Sequence, residues 1–362
     1  MPKDKPKVCF VLPEIGGGGA ERVIIMIASY FVDNGFDVQI SAGMNYNQGY
    51  EIDERIKIVD FEENNLIKPF FYLKRIINMR KAVKDSDVVI SFIFTFNVYT
   101  ILSCLFMRKK IIVSDRGDLK TELKQFNNPI KKLLVKLILK FAYRFPYKII
   151  FQTEDAQKYY PLYIRKNSVV IPNPITPSLP KRHEGQRRKE IVSICRLDAQ
   201  KNIKMSIDAF ELLLKDYPEF IFTIFGDGEL RGELEAYIDN KRLSGKISMP
   251  GFEKNVHQRV LDSFMYVSSS NYEGISNSML EALGIGLPTI VTDCPAGGAR
   301  MFIKQYENGV LVPVGDVHAL YKGMRQLVED DELRNNISKN AIKIRDEISV
   351  DIVCKRWMEL IL

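Results

Sequence analysis

The stretch MYVSSSNYEGISNSMLEALGIGLPTIVTD, residues 265–293, sets an apolar run, a Ser/Asn-rich turn, a helix-length segment and a second apolar run in succession. Strand, loop, helix and strand in that order make one crossover unit of a parallel sheet. The loop leaves the carboxyl end of its strand, and Ser276 or Asn277 stands where a helix N-cap belongs. Such a helix offers free N–H groups and the positive end of its dipole. That is an anion site, suited to a diphosphate. Glu273 lies in the loop beside it and Glu281 inside the helix, placed to accept hydrogen bonds from sugar hydroxyls. Two carboxylates at a phosphate site repel the ligand unless hydroxyls and cations stand between them. The ligand implied carries phosphate and several hydroxyls.

The same alternation runs outward in both directions. In the first half VCFVL, a helix closed by Gly35, DVQISAG, a helix over 70–85, DVVISF, KIIVSD, a basic helix and KIIFQT follow one another. A Pro-rich, charged and aperiodic stretch, 171–190, marks a boundary. Beyond it come IVSICRL, a helix over 202–216, FIFTIFGDG, a helix over 229–243, ISMPG, a helix over 255–263, the opening stretch, NGVLVPVG and a helical tail that carries Trp357 as a packing residue. Short parallel strands joined by helices predict an α/β chain of two Rossmann-like, doubly wound domains, 1–175 and 176–345, followed by the tail 346–362. Ligands of such sheets sit at the carboxyl ends of strands, and two domains offer a central cleft between them.

Cations occur in the right kind of place. SICRLDAQKN ends a strand with Arg196 and sets Lys201 in the following loop, a rigid fork and a point charge for a diphosphate. In the first half, PEIGGGGAERV leaves the first strand through Gly16, Gly17, Gly18 and Gly19 and opens a helix, so bare backbone can approach a phosphate or sugar. It is not the dinucleotide fingerprint, because Glu21 and Arg22 stand where a further glycine is needed. Asp85-Ser86-Asp87 resembles a metal-binding D-x-D, but it precedes the strand VVISF at its amino end and reads as a helix-exit turn.

Composition narrows the classes further. A hydrophobic share of 46% and a charged share of 27% over 362 residues describe a globular chain large enough for two cores. Residues 1–6 are polar and lead straight into a strand, so a cytosolic chain is expected. Five scattered cysteines fit reduced, packed thiols, and three histidines in no ligand spacing argue against a histidine metal site. Apolar runs are interrupted by Lys or Arg well before the ~20 residues of a spanning helix. The net charge of +7 is concentrated: residues 120–148 hold seven Lys and one Arg against Glu122. Within NNPIKKLLVKLILKFAYRFP, Asn128 caps and Pro129 starts a helix whose Lys132, Lys136, Lys140 and Arg144 recur at i, i+4, with Leu133, Leu134, Leu137, Ile138, Phe141 and Phe145 around the rest. This basic amphipathic helix is either a solvated surface helix or one that meets an anionic membrane surface. Aromatic platforms interleaved with Arg are lacking, so nucleic acid is not an expected partner.

EGISNSMLE, an E-x7-E in Glu273 and Glu281, together with Arg196 and Lys201, GDGELRGELE, the GF before Val256, ENGVLVPVGD and the early GGGGAER, resembles glycosyltransferase family 4, retaining nucleotide-sugar enzymes of GT-B architecture. VSDRGD, FQTEDAQKYYP, VIPNPI and TDCPAGGAR are similar to the branch that builds bacterial surface polysaccharides, capsule and lipopolysaccharide among them, and other lipid-linked glycans. The resemblance implies a hexosyl- or N-acetylhexosaminyltransferase with an acceptor-binding first domain, a donor-binding second domain and a tail that crosses back to the first. It implies that Arg196 and Lys201 bind the donor diphosphate, Glu281 the ribose, and Glu273 the transferred sugar, aided by main-chain N–H groups of Gly274, Ile275, Ser276, Asn277 and Ser278. Phe252 to Val256 would border the base, and Gly16 to Gly18 would close on the phosphates. The expected donor is a UDP-sugar, with no metal or other cofactor, and the acceptor a lipid-linked glycan at the cytoplasmic face of the inner membrane. The commonest family pattern places a His where VSDRGD stands; here Asp115 or Arg116 would contact sugar or acceptor. A nucleotide-sugar epimerase would share the architecture and turn over donor without acceptor, but histidines are scarce. A pyridine-nucleotide oxidoreductase would need the missing glycine fingerprint and an acid where Gln39 stands.

Overall fold

The structure, a computed structural model, describes residues 5–16, 18–43, 50–61, 68–116 and 128–362. The chain divides into one unit of residues 1–174 and 350–362 and a second of residues 175–349.

The first unit is built on strands β1 (Val8–Leu12), β2 (Val38–Ala42), β3 (Lys57–Asp60), β4 (Val88–Phe92), β5 (Lys110–Asp115), β6 (Lys148–Phe151) and β7 (Ser168–Val170). Their order is β3-β2-β1-β4-β5-β6-β7, and each pairing among the described residues is parallel. β1 and β4 are apolar at almost each position and wholly buried, as a strand covered by helices on both faces must be. Val8 pairs with Val38 on one side and Val88 on the other, so the strand order reverses between β1 and β4. Right-handed crossovers then place the helices Lys68–Ala82, Phe94–Cys104 and Pro129–Ala142 on one face. Tyr72 stacks on Tyr99, Thr100 meets the Met79 sulfur at 3.6 Å, and Asn97 donates to the Tyr143 hydroxyl at 3.2 Å, so these helices lie side by side. The helix Val350–Ile361 belongs to this unit: Tyr30 donates to Asp351 at 2.6 Å, and the buried Trp357 stacks on Phe92 with centroids 5.5 Å apart.

Asn128 accepts from Ile130 N–H at 2.9 Å and caps the basic helix. Its apolar side chains, however, do not form a buried stripe. Leu139 and Ala142 pack inward, whereas Leu133, Leu134, Leu137, Ile138 and Phe141 are exposed.

The second unit holds β8 (Arg188–Ile194), β9 (Ile221–Phe225), β10 (Ile247–Gly251), β11 (Ser263–Ser268), β12 (Thr289–Thr292) and β13 (Val310–Val312), in the order β10-β9-β8-β11-β12-β13 and again parallel. Its core is aromatic and aliphatic, with Phe210 against Phe222 and Phe220 edge-on to Phe264. Ser263 opens β11 rather than closing the preceding helix, which spans Val256–Val260; Arg188 Nη2 reaches the Ser263 hydroxyl at 3.5 Å, and Ser263 donates to the buried Glu190 at 3.0 Å. The order reverses between β8 and β11, so their carboxyl ends are adjacent.

Candidate functional site

The loops that leave β8 and β11 hold each other through backbone and amide bonds. Asn271 N–H donates to the Gln200 carbonyl at 2.8 Å, Gln200 returns a bond to the Tyr272 carbonyl at 2.9 Å, and Asn202 donates to Asn271 at 3.1 Å. Ser269 donates to the Asn202 carbonyl at 2.9 Å. The result brings together two side chains that are remote in sequence: Lys201 Nζ lies 2.5 Å from Glu273 Oε2. Ser270 donates to the same carboxylate oxygen at 3.2 Å. Burial alone would lower the Lys201 pKa, but the Glu273 charge and hydrogen bond outweigh it, and the ammonium is held above its ordinary range. The pair is 13% and 19% exposed, so it is poorly screened by solvent.

A third loop fixes the height of Glu273. Its N–H donates to the Pro295 carbonyl at 2.6 Å, and Ala296 N–H donates to its carbonyl at 2.9 Å. A Cβ on Gly298 would lie 1.6 Å from the Gly274 carbonyl oxygen, so the two backbones approach at a distance no other residue allows. On the β8 side, Gly226 has φ +123 and a Cβ there would fall 1.9 Å from the Cys195 carbonyl oxygen; glycine lets the FGDG turn support the segment bearing Arg196.

The helix Asn277–Gly284 begins at Ser276, whose hydroxyl accepts from Met279 N–H at 3.4 Å. Ser276 is therefore the cap, and Asn277 is the first helical residue. Ser278 lies 3.0 Å from the Tyr266 hydroxyl, and Gly274 and Ile275 connect the cap to Glu273. Glu281 is 5% exposed and meets His257 Nε2 at 2.8 Å. This histidine was absent from the sequence expectations: its short helix carries no periodic signal, and its partner is 24 positions away. Arg259, on the same helix, grips Glu190 through two 3.0 Å bonds, so the helix that offers His257 is anchored at its other end.

Arg196 stands apart from the Lys201–Glu273 pair. It is 75% exposed and lies 3.4 Å from Asp198 Oδ2. Lys201 is engaged by Glu273, whereas Arg196 meets Asp198. Phe252, 82% exposed, follows Gly251 at the end of β10, and Val256 starts the His257 helix.

In the first unit, Gly18 is the N-cap of the helix Gly19–Asp33 and Gly16 precedes it at the carboxyl end of β1; Gly17 lies outside the described residues. Asp115 ends β5, is buried and accepts from Tyr160. Arg116 turns the other way: its Cζ lies 4.6 Å from the Phe92 ring, Nε donates to Ser114 at 3.0 Å and Nη1 donates to Asn173. Lys136, Lys140 and Arg144 are exposed, and Arg144 lies 5.5 Å from the Tyr163 ring; Lys132 is half-buried. The turn at Asp85–Asp87 is structural, with Asp87 accepting from Lys7 N–H at 2.8 Å.

This arrangement, two doubly wound units with charged groups gathered where β8 and β11 part, defines a transferase architecture that known proteins share. The model of the group 1 glycosyl transferases matches residues 177–344, and that of Glycosyltransferase Family 4 matches residues 17–179. The chain belongs to glycosyltransferase family 4 and has the GT-B fold. It is 25% identical, across 98% of both chains, to an alpha-1,4-N-acetyl-D-galactosaminyltransferase of Campylobacter jejuni named for a GalNAc-bearing diNAcBac-PP-undecaprenol. It is 24% identical to the amylovoran biosynthesis glycosyltransferase AmsD of Erwinia amylovora, covering 95% of this chain and 96% of that one. Among solved structures it is similar to Anabaena HepE in complex with UDP and glucose, with a TM-score of 0.82, 18% identity and 98% of both chains covered. Among the described residues no helix is long and apolar enough to cross a membrane.

Proposed function

We propose that the chain is a retaining hexosyl- or N-acetylhexosaminyltransferase that moves a sugar from a UDP-sugar to a lipid-linked glycan in bacterial surface polysaccharide biosynthesis. The observation that carries this reading is the Lys201–Glu273 pair at the point where β8 and β11 part. An ammonium already stripped of most of its water is ready for a diphosphate, and the carboxylate it releases is free to accept sugar hydroxyls. Arg196, exposed and weakly engaged by Asp198, supplies a second cation to the same diphosphate. The helix beginning at Ser276 adds N–H groups of Ser276 to Ser278, and Glu281, fixed by His257, takes the ribose. As the bond to the sugar breaks, charge grows on the departing diphosphate, and these cations stabilise it in place of a divalent metal. The acceptor hydroxyl attacks from the same face and passes its proton to the leaving phosphate, which retains the configuration. Phe252 borders the base, Gly16 and Gly18 close on the phosphates, and Asp115 or Arg116 contacts sugar or acceptor.

The acceptor reading draws on the Campylobacter relative, named for an undecaprenyl diphosphate substrate. It is supported by the basic helix. Leaving a large apolar side chain in water forfeits about 1.5–3 kcal/mol relative to burying it, and Leu133, Leu134, Leu137, Ile138 and Phe141 are all exposed between Lys136, Lys140 and Arg144. Apolar residues and cations alternating on one exposed helix suit a peripheral site on the anionic cytoplasmic leaflet. A panel of nucleotide sugars read by thermal shift tests the donor assignment: UDP and one UDP-sugar should raise the melting temperature by mass action. No response to any UDP compound would refute it.

A further inference from the structure

Arg116 follows β5, whose carboxyl end lies one strand from the reversal between β1 and β4. Ligands of doubly wound sheets collect at that edge. The guanidinium is held in place from several sides. Phe92 lies under it at 4.6 Å, and the Phe92 ring is itself stacked on Trp357 of the returning C-terminal helix. Nε donates to Ser114 and Nη1 to Asn173. All of these oxygens belong to neutral groups. Nη2 is buried and, among the described residues, has no hydrogen-bond partner. The preceding carboxylate, Asp115, projects to the opposite side and is engaged by Tyr160, as consecutive side chains of a strand require. Burial pulls the Arg116 pKa down to about 9.

A rigid, desolvated guanidinium with neutral neighbours and an unused donor is costly to keep. Arg259 in the second unit offsets that cost by pairing with Glu190. Strained or uncompensated groups of this kind persist where a ligand completes them. We propose that Arg116 is an oxyanion receptor of the first unit that takes a phosphate group of the acceptor. This rests on the reading of the acceptor as a lipid diphosphate. The donor diphosphate carries the same chemistry, and the experiment separates the two sources.

The full chain is saturated with UDP and then titrated with inorganic pyrophosphate and with farnesyl diphosphate, melting temperature and calorimetry being read for wild type, Arg116→Gln and Arg116→Met. Wild type should show a second, saturable stabilisation by both probes. Arg116→Gln should weaken that response at least tenfold while its UDP affinity stays within twofold of wild type. Without ligand, Arg116→Met should melt at or above wild type, because an uncompensated charge has been removed; an arginine that only braces Ser114 and Asn173 would give a lower melting temperature. Four results overturn the proposal: no second response in wild type, a second response that survives Arg116→Gln, a tenfold loss of UDP affinity in Arg116→Gln, or a lower melting temperature of Arg116→Met. If wild type ignores UDP, the donor reading fails; the pyrophosphate and farnesyl diphosphate titrations, run without UDP, still decide the role of Arg116.

Discussion

Lys201 Nζ and Glu273 Oε2 lie 2.5 Å apart although 72 residues separate them in the chain. The pair joins the two loops at the strand-order reversal and holds in one contact both charges that the proposed donor site uses. Glu273→Gln keeps the shape and removes the charge. Transfer should fall about 100- to 1000-fold, the scale of losing one preorganised charge in a transferase site. The fold should survive, since a loss near 1 kcal/mol shifts the melting temperature of a domain this size by about 2–4 °C. Initial rates with a UDP-sugar donor and a melting curve check both parts; an active Glu273→Gln enzyme would end the assignment.

The same pair predicts a pH dependence. The Lys201 pKa is raised in the folded chain, so its stabilisation is complete below the unfolded value of about 10.4 and is lost as pH rises through the higher folded value. Wild type should lose stability on the alkaline side over that window. In Glu273→Gln the loss should be shallower, because the carboxylate that raises the pKa is gone. Denaturant midpoints between pH 9 and pH 11 read the difference.

Arg196 offers the opposite case, a cation to which the proposed function assigns a role in binding rather than stability. It is largely exposed, and its contact to Asp198 is long. Arg196→Ala should change stability by no more than about 0.5 kcal/mol. UDP affinity should fall at least tenfold if the guanidinium swings onto the diphosphate. Calorimetric titration with UDP measures it, and an unchanged affinity would leave Lys201 as the donor's cation.

Helix Pro129–Ala142 should give two separable components in binding to vesicles of mixed neutral and anionic lipid. Replacing Lys132, Lys136, Lys140 and Arg144 with Gln should remove the salt-sensitive component, about 1 kcal/mol per cation near the surface. Replacing Leu133, Leu137 and Phe141 with Ser should remove a component that salt does not screen. Co-sedimentation across a salt series distinguishes them. Equal partitioning of all three proteins would show that this helix does not meet the membrane.

Much of the fold was legible because buried parallel strands write themselves as uninterrupted apolar runs, as in VCFVL and VVISF. β3 was not, since KIVD is a largely exposed edge strand with charges at both ends. β7, three half-buried residues at the opposite edge, was lost for the same reason. Helix Phe94–Cys104 escaped because it packs between two other helices and carries no charge, which leaves no polar face to produce a period. In the site, Ser276 and the two glutamates were readable from local spacing. The mutual satisfaction of Lys201 and Glu273, the solvent-facing pose of Arg196 and the support of Glu281 by His257 depend on which strands are neighbours, and no local spacing encodes that.

The close approach of Gly298 to Gly274 gives the last test. Gly298 begins the helix Gly298–Phe302 within CPAGGAR, and its Cα side faces the carbonyl that follows Glu273. A methyl group there would overlap the Gly274 oxygen and also press on Ile275 Cα at 3.0 Å, and both obstacles are backbone. Neither can rotate away, so the loop must retreat and carry Glu273 off its contacts with Pro295, Ala296 and Lys201. Gly298→Ala should cost about 1–3 kcal/mol of stability, the usual range for overpacking. It should abolish transfer at temperatures where the chain is still folded, because a displacement near 1 Å at a reacting group costs on the order of 100-fold. Circular dichroism melts and rates measured well below the transition separate the two effects. If Gly298→Ala retained full activity, Glu273 would not need the position this contact enforces.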